Sequence, residues 1–507
     1  MAKIIGNKKN NKLNGKGKDD KIKGLAGDDQ LKGKGGDDKL IGGPGDDLLD
    51  GGVGDDLLKA GFGNDFLDGG DGDDTMDGGD GDDFMEAGVG RDTFIGGLGI
   101  DTVSYALSAL GVDIDLLQND NTGGAQFDTF AGVENIDGSQ FGDSIEGDGA
   151  ANKLRGLNGD DYLKGGDGND VLDGGEGRDQ LYSDNGADQL IGGNGVDSLV
   201  YEKAASGAVI NLLSGAGGGS AAGDTFSGFE IVFGTKFADT IRGAGIGETF
   251  FGGLGNDDLF GNGGNDTLFG DAGLDDLYGG EGNDRLSPEG DVAQADHLFG
   301  GNGSDWADYD NAGAAVNVNL RTGLGALRAA GDTYDSIENV QGSDFGDTLI
   351  AGPNGRTYGG WGDDFIYDGT GTEILRGERG ADTLSDNFLG ITEDGLRDIF
   401  VLEVNLGMDT IDGFSQGAGV AGDRFWLQES QFNIAHNSIG SLAADQIHNT
   451  TTSAANTASQ RLIFDTDDKI LYYDADGNGN NAASIAIAKI NGLASISASD
   501  FTVVPDL

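Results

Sequence analysis

A nine-residue unit repeats along this chain, and it constrains the fold more than any other feature of the sequence. From Gly42 the chain reads GGPGDDLLD, GGVGDDLLK, AGFGNDFLD, GGDGDDTMD, GGDGDDFME, AGVGRDTFI and GGLGIDTVS, without a slip in the period. The register extends back through Gly33, Gly24, Gly15 and Gly6, which makes eleven units. So short a unit, kept in register over this length, predicts a solenoid in which each coil packs on the next.

Each place in the unit has a physical role. Glycines at places one, two and four are expected to allow positive φ and close approach of backbones, so that the chain turns sharply. Aspartate at the sixth place adds a carboxylate to the carbonyls of that turn, and an all-oxygen set suits calcium before magnesium. The last three residues are predicted to form a short strand whose apolar eighth residue points inward, because side chains alternate across a strand. Two units are expected to make one coil.

The GGxGxDxUx unit resembles that of the RTX (repeats-in-toxin) family, whose members are exported by type I secretion systems. The resemblance implies a parallel β-roll that holds many calcium ions between turns two units apart. It would pair Asp47 with Asp65, Asp56 with Asp74, and Asp65 with Asp83.

The predicted metal ligands are the sixth-place aspartates of all blocks. They are Asp29, Asp38, Asp47, Asp56, Asp65, Asp74, Asp83, Asp92, Asp161, Asp170, Asp179, Asp188, Asp197, Asp257, Asp266, Asp275, Asp284, Asp305, Asp364 and Asp382. We expect the strongest sites at Asp47–Asp92 and Asp161–Asp197, with weaker ones towards both ends.

The repeats fall into four blocks with three spacers between them. We predict arrays at residues 1–101, 138–200, 234–308 and 342–385, spacers at 102–137, 201–233 and 309–341, and a C-terminal cap with a secretion signal at 386–507. The spacers are copies of one another, since the same 38-residue step leads from Tyr105 to Asp143, from Tyr201 to Asp239 and from Tyr309 to Asp347. Their alternating stretches VDIDLL, VINLL and VNVNL predict strands, so we expect wider β coils and not flexible linkers.

Two blocks depart from the regular unit. The third carries an insertion, PEGDVAQADHLF, at Pro288–Phe299. In the fourth, Arg356 and Glu373 are expected to stand where the repeat has aspartate.

The period ends near Asp386. The following stretch is similar to the segment that closes RTX rolls, with Asp409, Asp412 and Asp423 spaced as in that family. The chain then resembles an uncleaved type I secretion signal, although its Pro505-Asp506-Leu507 ending departs from the family pattern.

The DADGNG stretch that begins at Asp474 has two readings. It matches the start of an EF-hand loop, but Ile485 stands where that loop needs a bidentate glutamate. A tight polar turn and a lone weak calcium site therefore both stay open.

The net charge of the chain limits the kinds of molecule that it can bind. The chain holds 31 Lys and Arg against 89 Asp and Glu, a net charge of −58, which excludes nucleic acid because phosphate binding needs a basic surface. The first 59 residues differ, with twelve lysines and eleven acids. They form either an end cap of the solenoid or a contact for anionic cell-surface polysaccharide.

The sequence favours a secreted, extracellular calcium-binding protein without catalysis, which folds on external calcium and serves at a cell surface, in a matrix or in host interaction. It has no cysteine, no Sec-type apolar leader and no apolar stretch that could span a membrane. It also lacks H-E-x-x-H, G-x-S-x-G and Walker motifs, and since the repeats begin at Gly6 we expect no activity domain before them. The alternatives are a polysaccharide-modifying lyase or epimerase and a hemolysin-like toxin.

Overall fold

The structure is a computed structural model that divides into two compact units, Met1–Ala244 and Gly245–Leu507. The described residues are 2–118, 121–288, 294–385, 397–403, 407–414, 416, 423–428, 431–432, 442, 446–451, 461–474 and 484–504. Each unit is a parallel β-solenoid, as the repeat predicted, and no α-helix occurs among these residues.

The coil of the solenoid contains two nonapeptides, because each strand pairs in parallel with the strand that lies 18 residues further along. Leu48–Val53 pairs with Phe66–Asp71 in this way, with Leu49 opposite Leu67 and Gly52 opposite Gly70. The eighth-place residues of the first array point inward and are fully buried from Ile22 to Val103, as predicted, whereas Leu13 near the start is partly exposed. One apolar side chain per strand thus builds a narrow core between two sheets.

The first unit has three sheets. Sheet I contains Ala2–Ile5, Asp20–Lys23, Lys39–Pro44, Leu57–Phe62, Thr75–Asp80, Thr93–Leu98 and Thr129–Ala131. Sheet II contains Lys12–Asn14, Gln30–Lys32, Leu48–Val53, Phe66–Asp71, Phe84–Glu86, Thr102–Ser104, Asn135–Asp137, Lys153–Asn158, Val171–Gly177, Gln189–Gly195, Thr225–Ser227, Ala216–Gly219, Ala208–Asn211 and Thr240–Arg242. Sheet III contains Thr122–Gly123, Val112–Asp115, Ser144–Glu146, Tyr162–Lys164, Gln180–Tyr182, Ser198–Val200 and Ile231–Phe233.

The second unit has two sheets. Sheet IV contains Asp258–Gly263, Asp276–Gly282, His297–Gly303, Thr333–Asp335, Leu324–Leu327, Val316–Asn319, Thr348–Ile350, Phe365–Tyr367, Thr383–Ser385, Asp409–Asp412, Ser484–Ile490, Ile470–Asp474, Leu462–Asp465 and Ile447–Thr450. Sheet V contains Thr249–Phe251, Thr267–Phe269, Arg285–Ser287, Trp306–Asp308, Asn339–Gln341, Arg356–Trp361, Ile374–Arg379, Ile399–Leu402, Arg424–Gln428 and Phe501–Val504. One 3₁₀ turn, Ala498–Asp500, precedes the last strand.

The spacers belong to the sheets, which confirms the strands predicted for them. Ala208–Asn211 pairs antiparallel with Ala216–Gly219, which in turn pairs with Thr225–Ser227. The third spacer repeats this arrangement with Val316–Asn319 and Leu324–Leu327. Each spacer therefore adds a hairpin to one face of a coil and leaves the stacking intact.

The C-terminal segment continues the parallel stack before it changes direction. Ile399–Leu402 pairs in parallel with Ile374–Arg379, and Arg424–Gln428 pairs with Ile399–Leu402. The hairpin Leu462–Asp465 and Ile470–Asp474 is antiparallel. Most of the DADGNG stretch, the Pro505-Asp506-Leu507 ending and residues 289–293 of the insertion lie outside the described residues, and among those described no helix has the length and apolarity needed to cross a membrane.

Candidate calcium sites

The sixth-place aspartates form hydrogen-bonded ladders along each unit. Oδ1 of Asp65 accepts a hydrogen bond of 2.6 Å from the backbone N–H of Asp47, and Oδ1 of Asp83 accepts one of 2.8 Å from Asp65. Oδ1 of Asp74 is 2.7 Å from the N–H of Asp56. The structure thus brings together the three pairs that the family resemblance implied. One oxygen of each carboxylate is held by protein alone, in a position set by the coil repeat.

The second oxygen, Oδ2, is buried and has no hydrogen-bond partner among the described residues at most of these positions. The residues concerned are Asp29, Asp38, Asp47, Asp56, Asp65, Asp74, Asp83, Asp92, Asp101, Asp161, Asp170, Asp179, Asp197, Asp266, Asp275, Asp284, Asp305, Asp364 and Asp382. A buried carboxylate oxygen without a partner is costly, and native proteins satisfy such groups with a donor or a metal. The repetition of one such atom along the ladders indicates a row of cation sites.

The first place of the unit, which is glycine in most units and alanine at Ala60 and Ala87, lies beside this oxygen. A Cβ at Gly51 would lie 2.6 Å from the carbonyl oxygen of Gly69, and closer still to Oδ2 of Asp56. A Cβ at Gly174 would lie 2.6 Å from the carbonyl oxygen of Gly192, and closer still to Oδ2 of Asp179. A carboxylate oxygen and a carbonyl oxygen from the next coil therefore converge beside the first-place glycine.

The backbone angles correct one expectation. Positive φ occurs at the second and fourth places, as at Gly52 (110°) and Gly54 (130°), and not at first-place Gly51. The first place favours a small residue, glycine or the alanine of Ala60 and Ala87, because the carboxylate approaches its α-carbon, whereas the other two glycines are required by the left-handed turn.

These oxygens fit calcium. No group of three or more His, Cys, Asp or Glu side chains that could hold a metal occurs in the described part of the chain. The remaining ligands of any ion here must therefore be backbone carbonyls and water, which are ligands of calcium and not of a zinc-type site.

Burial has a marked effect on these acids. Burial, together with the charge of neighbouring carboxylates, raises the pKa of Asp65, Asp74 and Asp92 to about 7. The pKa of Asp275 and of Asp364 rises to about 8 for the same reasons. Without a cation these side chains tend to keep a proton at neutral pH, and a bound calcium ion would replace that proton.

All twenty predicted ligands are buried at the sixth place of their units, but Asp188 differs from the others. Its Oδ2 is 3.2 Å from the hydroxyl oxygen of Ser183, which donates a hydrogen bond to it. Oδ2 of Asp188 thus already has a protein partner, where Oδ2 of Asp179 has none among the described residues.

The ladders also contain acids outside the predicted set. Asp101 has the same buried Oδ2, and its place in the period could have added it. The N–H of Glu248 donates to Oδ1 of Asp266 at 2.8 Å, and the N–H of Glu373 donates to Asp398 at 3.2 Å. Glutamate at the sixth place therefore continues the ladder and does not interrupt it.

The placement of Arg356 was wrong by one residue. Arg356 lies opposite Ile374, the seventh residue of its unit, so Gly355 holds the sixth place. The cause is a unit that is one residue short: the N–H of Asp347 donates to Asp364, 17 residues away instead of 18.

In the C-terminal segment, two of the three noted aspartates join the ladders. Asp409 accepts from the N–H of Asp382 at 3.3 Å, and Asp423 accepts from the N–H of Asp398 at 3.0 Å. Asp412 instead accepts a hydrogen bond of 2.5 Å from the side-chain amide of Asn491.

Comparison with known families agrees with this geometry. The RTX calcium-binding nonapeptide repeat, in its four-copy form, matches residues 5–40, 32–67, 41–76, 68–103, 128–163, 137–172, 164–199, 251–286 and 358–385. The chain belongs to the RTX family. No curated protein sequence matches this RTX chain. Its repeats are calcium-binding repeats, and the ladder aspartates are the side chains through which they would hold the ions.

Proposed function

We propose that this RTX protein is secreted, folds when it meets calcium outside the cell, and acts there without catalysis at a surface, in a matrix or in host interaction. The observation that carries the proposal is the repeated Oδ2 atom, buried and without a partner. A fold that leaves so many carboxylate oxygens unsatisfied needs the ion in order to be stable.

The charge of the chain supports coupling between binding and folding. At a net charge of −58 the unfolded chain repels itself, and roughly twenty calcium ions would offset about 40 of those charges. Extracellular calcium modules bind at about 10⁻⁴–10⁻³ M, so such a chain stays open at cytosolic calcium levels and folds outside. The free energy of ion binding then becomes free energy of folding.

Within a coil, the protein's own groups have separate tasks. The backbone N–H of Asp38 fixes Oδ1 of Asp56, at 2.6 Å, which leaves Oδ2 directed at the turn beside Gly51. The first-place glycine lets that oxygen approach the backbone, and the carbonyl of the next coil completes the oxygen set. A bound calcium ion would supply the positive charge that these oxygens share.

Export through type I secretion machinery is the route we propose. It is supported by membership of the RTX family and by the resemblance of the C-terminal segment to an uncleaved secretion signal. An open, calcium-free chain is also the form that can be threaded through an export channel.

An anionic cell-surface polysaccharide is the partner that the lysine-rich end favours. Lys3, Lys21 and Lys39 lie opposite one another on adjacent strands of sheet I. Lys32 and Lys59 form ion pairs with aspartates, whereas the three stacked lysines have no ion-pair partner among the described residues. Like charges in register repel, so an anionic chain lying along this column would stabilise it.

Far-UV circular dichroism of the full chain, titrated with calcium, tests the folding proposal. We expect β signal to appear as calcium rises through about 10⁻⁴–10⁻³ M, and magnesium at equal concentration to be much less effective. Full β signal in chelator, unchanged by calcium, would contradict the proposal.

The polysaccharide contact is tested with the triple variant Lys3→Glu, Lys21→Glu, Lys39→Glu in calcium. Retention on an acidic polysaccharide column should fall several-fold, and more steeply at low salt, because the contact is electrostatic. The matched control is Lys32→Glu with Asp50→Lys, which exchanges the partners of a surface ion pair on sheet II. Equal retention of the triple variant and the parent would leave the lysines as an end cap.

An assay on alginate and pectin tests the absence of catalysis. We expect the calcium-loaded protein to leave both polymers unchanged in length and in uronate composition. Depolymerisation or epimerisation would replace the binding role by that of a polysaccharide-modifying enzyme.

A further inference from the structure

The three spacers each contain a carboxylate that continues a ladder but has a different partner. Oδ1 of Asp128 accepts from the N–H of Asp92 at 2.7 Å, and Oδ1 of Asp224 accepts from the N–H of Asp188 at 2.8 Å. Oδ1 of Asp332 is 3.1 Å from the N–H of Asp296. These three aspartates therefore hold the sixth-place position in the coil that each spacer widens.

In the spacers, the second oxygen meets a tyrosine. The hydroxyl of Tyr105 donates to Oδ2 of Asp128 at 2.6 Å. The same bond joins Tyr201 to Asp224 at 2.5 Å and Tyr309 to Asp332 at 2.6 Å. The atom that has no partner in the arrays thus has a short hydrogen bond from a neutral donor in every spacer.

Packing fixes these hydroxyls in place. Tyr105, Tyr201 and Tyr309 are at most 2% exposed. The ring of Tyr105 contacts Phe94 edge to face at 6.3 Å, and that of Tyr201 contacts Phe226 in the same way. A ring held on its sides by the core cannot swing away to admit an ion, so the hydroxyl and a cation exclude each other.

The turn before the spacer aspartate differs as well. The residue five places earlier has positive φ in all three spacers, at Gly123 (68°), Gly219 (63°) and Leu327 (58°). In the arrays the corresponding glycine lies beside Oδ2, but the atoms nearest to a Cβ on Gly219 are backbone atoms of Gly207 and Ala208. The paired carboxylate and carbonyl oxygens of the arrays are therefore not reproduced beside this residue.

We propose that Tyr105, Tyr201 and Tyr309 take the place of the calcium ion at Asp128, Asp224 and Asp332, so that the ladder through each of these aspartates contains a position that binds none. The proposal rests on calcium binding by the arrays. At these three positions the carboxylate is satisfied by the protein itself, and its burial does not depend on the ion.

Bound calcium, counted by equilibrium dialysis with radioactive calcium at saturation, tests this division. Asp179→Asn, in an array, is expected to lower the count by about one ion per chain, because it removes a ligand charge. Asp224→Asn, in the second spacer of the same unit, is expected to leave the count unchanged. A loss with Asp224→Asn as large as that with Asp179→Asn would overturn the proposal, whereas a parent chain that binds no calcium would overturn the proposed function instead.

A second variant decides the matter if Asp224→Asn fails to give β signal. Tyr201→Phe removes only the donor, so its unfolding temperature in saturating calcium should fall by about 2–4 °C while the count of bound ions stays the same. Tyr182→Phe, whose hydroxyl lies at the outer face of sheet III at 3.5 Å from Gln180, is the matched control and should change neither quantity. A gain of bound calcium by Tyr201→Phe would show that the ion can enter the spacer and would contradict the proposal.

Discussion

The coil around Asp65, in an array, and the coil around Asp224, in a spacer, each hold a ladder aspartate by its Oδ1 and differ at its Oδ2. In both, Oδ1 accepts a backbone N–H, at 2.6 Å for Asp65 and 2.8 Å for Asp224. In the array Oδ2 has no partner, whereas in the spacer it accepts the hydroxyl of Tyr201. The comparison teaches that the hydrogen bond to Oδ1 is common to both kinds of coil, and that the partner of Oδ2 is the difference on which our proposal of calcium-binding and calcium-free positions rests.

Low pH should reduce the difference between array and spacer coils more than any single substitution, because it protonates many array carboxylates at once. The pKa of Asp65, Asp74 and Asp92 is about 7 in the folded state, above the ordinary value of 3.8. Protonation therefore stabilises the calcium-free fold fully below about pH 4, and this stability is lost as pH rises through about 7. In chelator, β signal by circular dichroism should be greater at pH 5 than at pH 8, and a signal that is flat or rises with pH would contradict the assignment.

The second largest effect is expected from the loss of a side chain in the core. Leu67 is fully buried between Leu49 and Met85 of the neighbouring coils, so Leu67→Ala should lower the free energy of unfolding in calcium by about 2–5 kcal/mol. Chemical denaturation of the variant and the parent measures this change in the free energy of unfolding. Leu117→Ala, at a side chain that is 74% exposed in the first spacer, is the control and should cost less than about 0.5 kcal/mol.

A methyl group added at a first-place glycine should lower both the stability and the calcium affinity of its array. Gly51→Ala would press on the Gly69 carbonyl and on the Asp56 carboxylate, at an expected cost of about 1–3 kcal/mol together with weaker calcium binding. Gly149→Ala, where no atom lies within 4 Å of the new Cβ, should leave both unchanged. Calcium titrations of the two variants measure the difference, and equal midpoints would show that the first glycine does not shape the site.

Ion pairs on the outer faces should have the smallest effects. Arg155 of the second array pairs with Asp137 of the first spacer, whose side chain is 8% exposed, whereas Lys59 and Asp77 pair at a more open surface. Arg155→Met should therefore cost about 1–3 kcal/mol because it leaves a nearly buried carboxylate, and Lys59→Met about 0–1 kcal/mol. Denaturation at low and high salt measures both, and the opposite ranking would contradict the burial argument.

The period predicted the coils and the inward eighth residue, because these follow from local geometry repeated at a constant step, and the family resemblance implied the paired aspartates. The period did not predict the role of Tyr201, which lies 23 residues from Asp224. This contact is made once in each spacer and does not recur in the repeat. The period also placed Arg356 one position too early, since a unit that lacks one residue shifts the register without changing the motif. Features that repeat could be read from the sequence, and contacts made once per spacer could not.

The 18-residue step of the ladder limits how such a chain can grow or shrink. Sheets I and II receive alternate nonapeptides, so duplication of one unit would transfer every later strand to the opposite face. Thr129–Ala131, which pairs with Thr93–Leu98, would then meet the wrong partner. Duplication of two units restores every face and every ladder. Gene-level change in these arrays is therefore expected to proceed in steps of whole coils, with an even number of nonapeptides gained or lost each time.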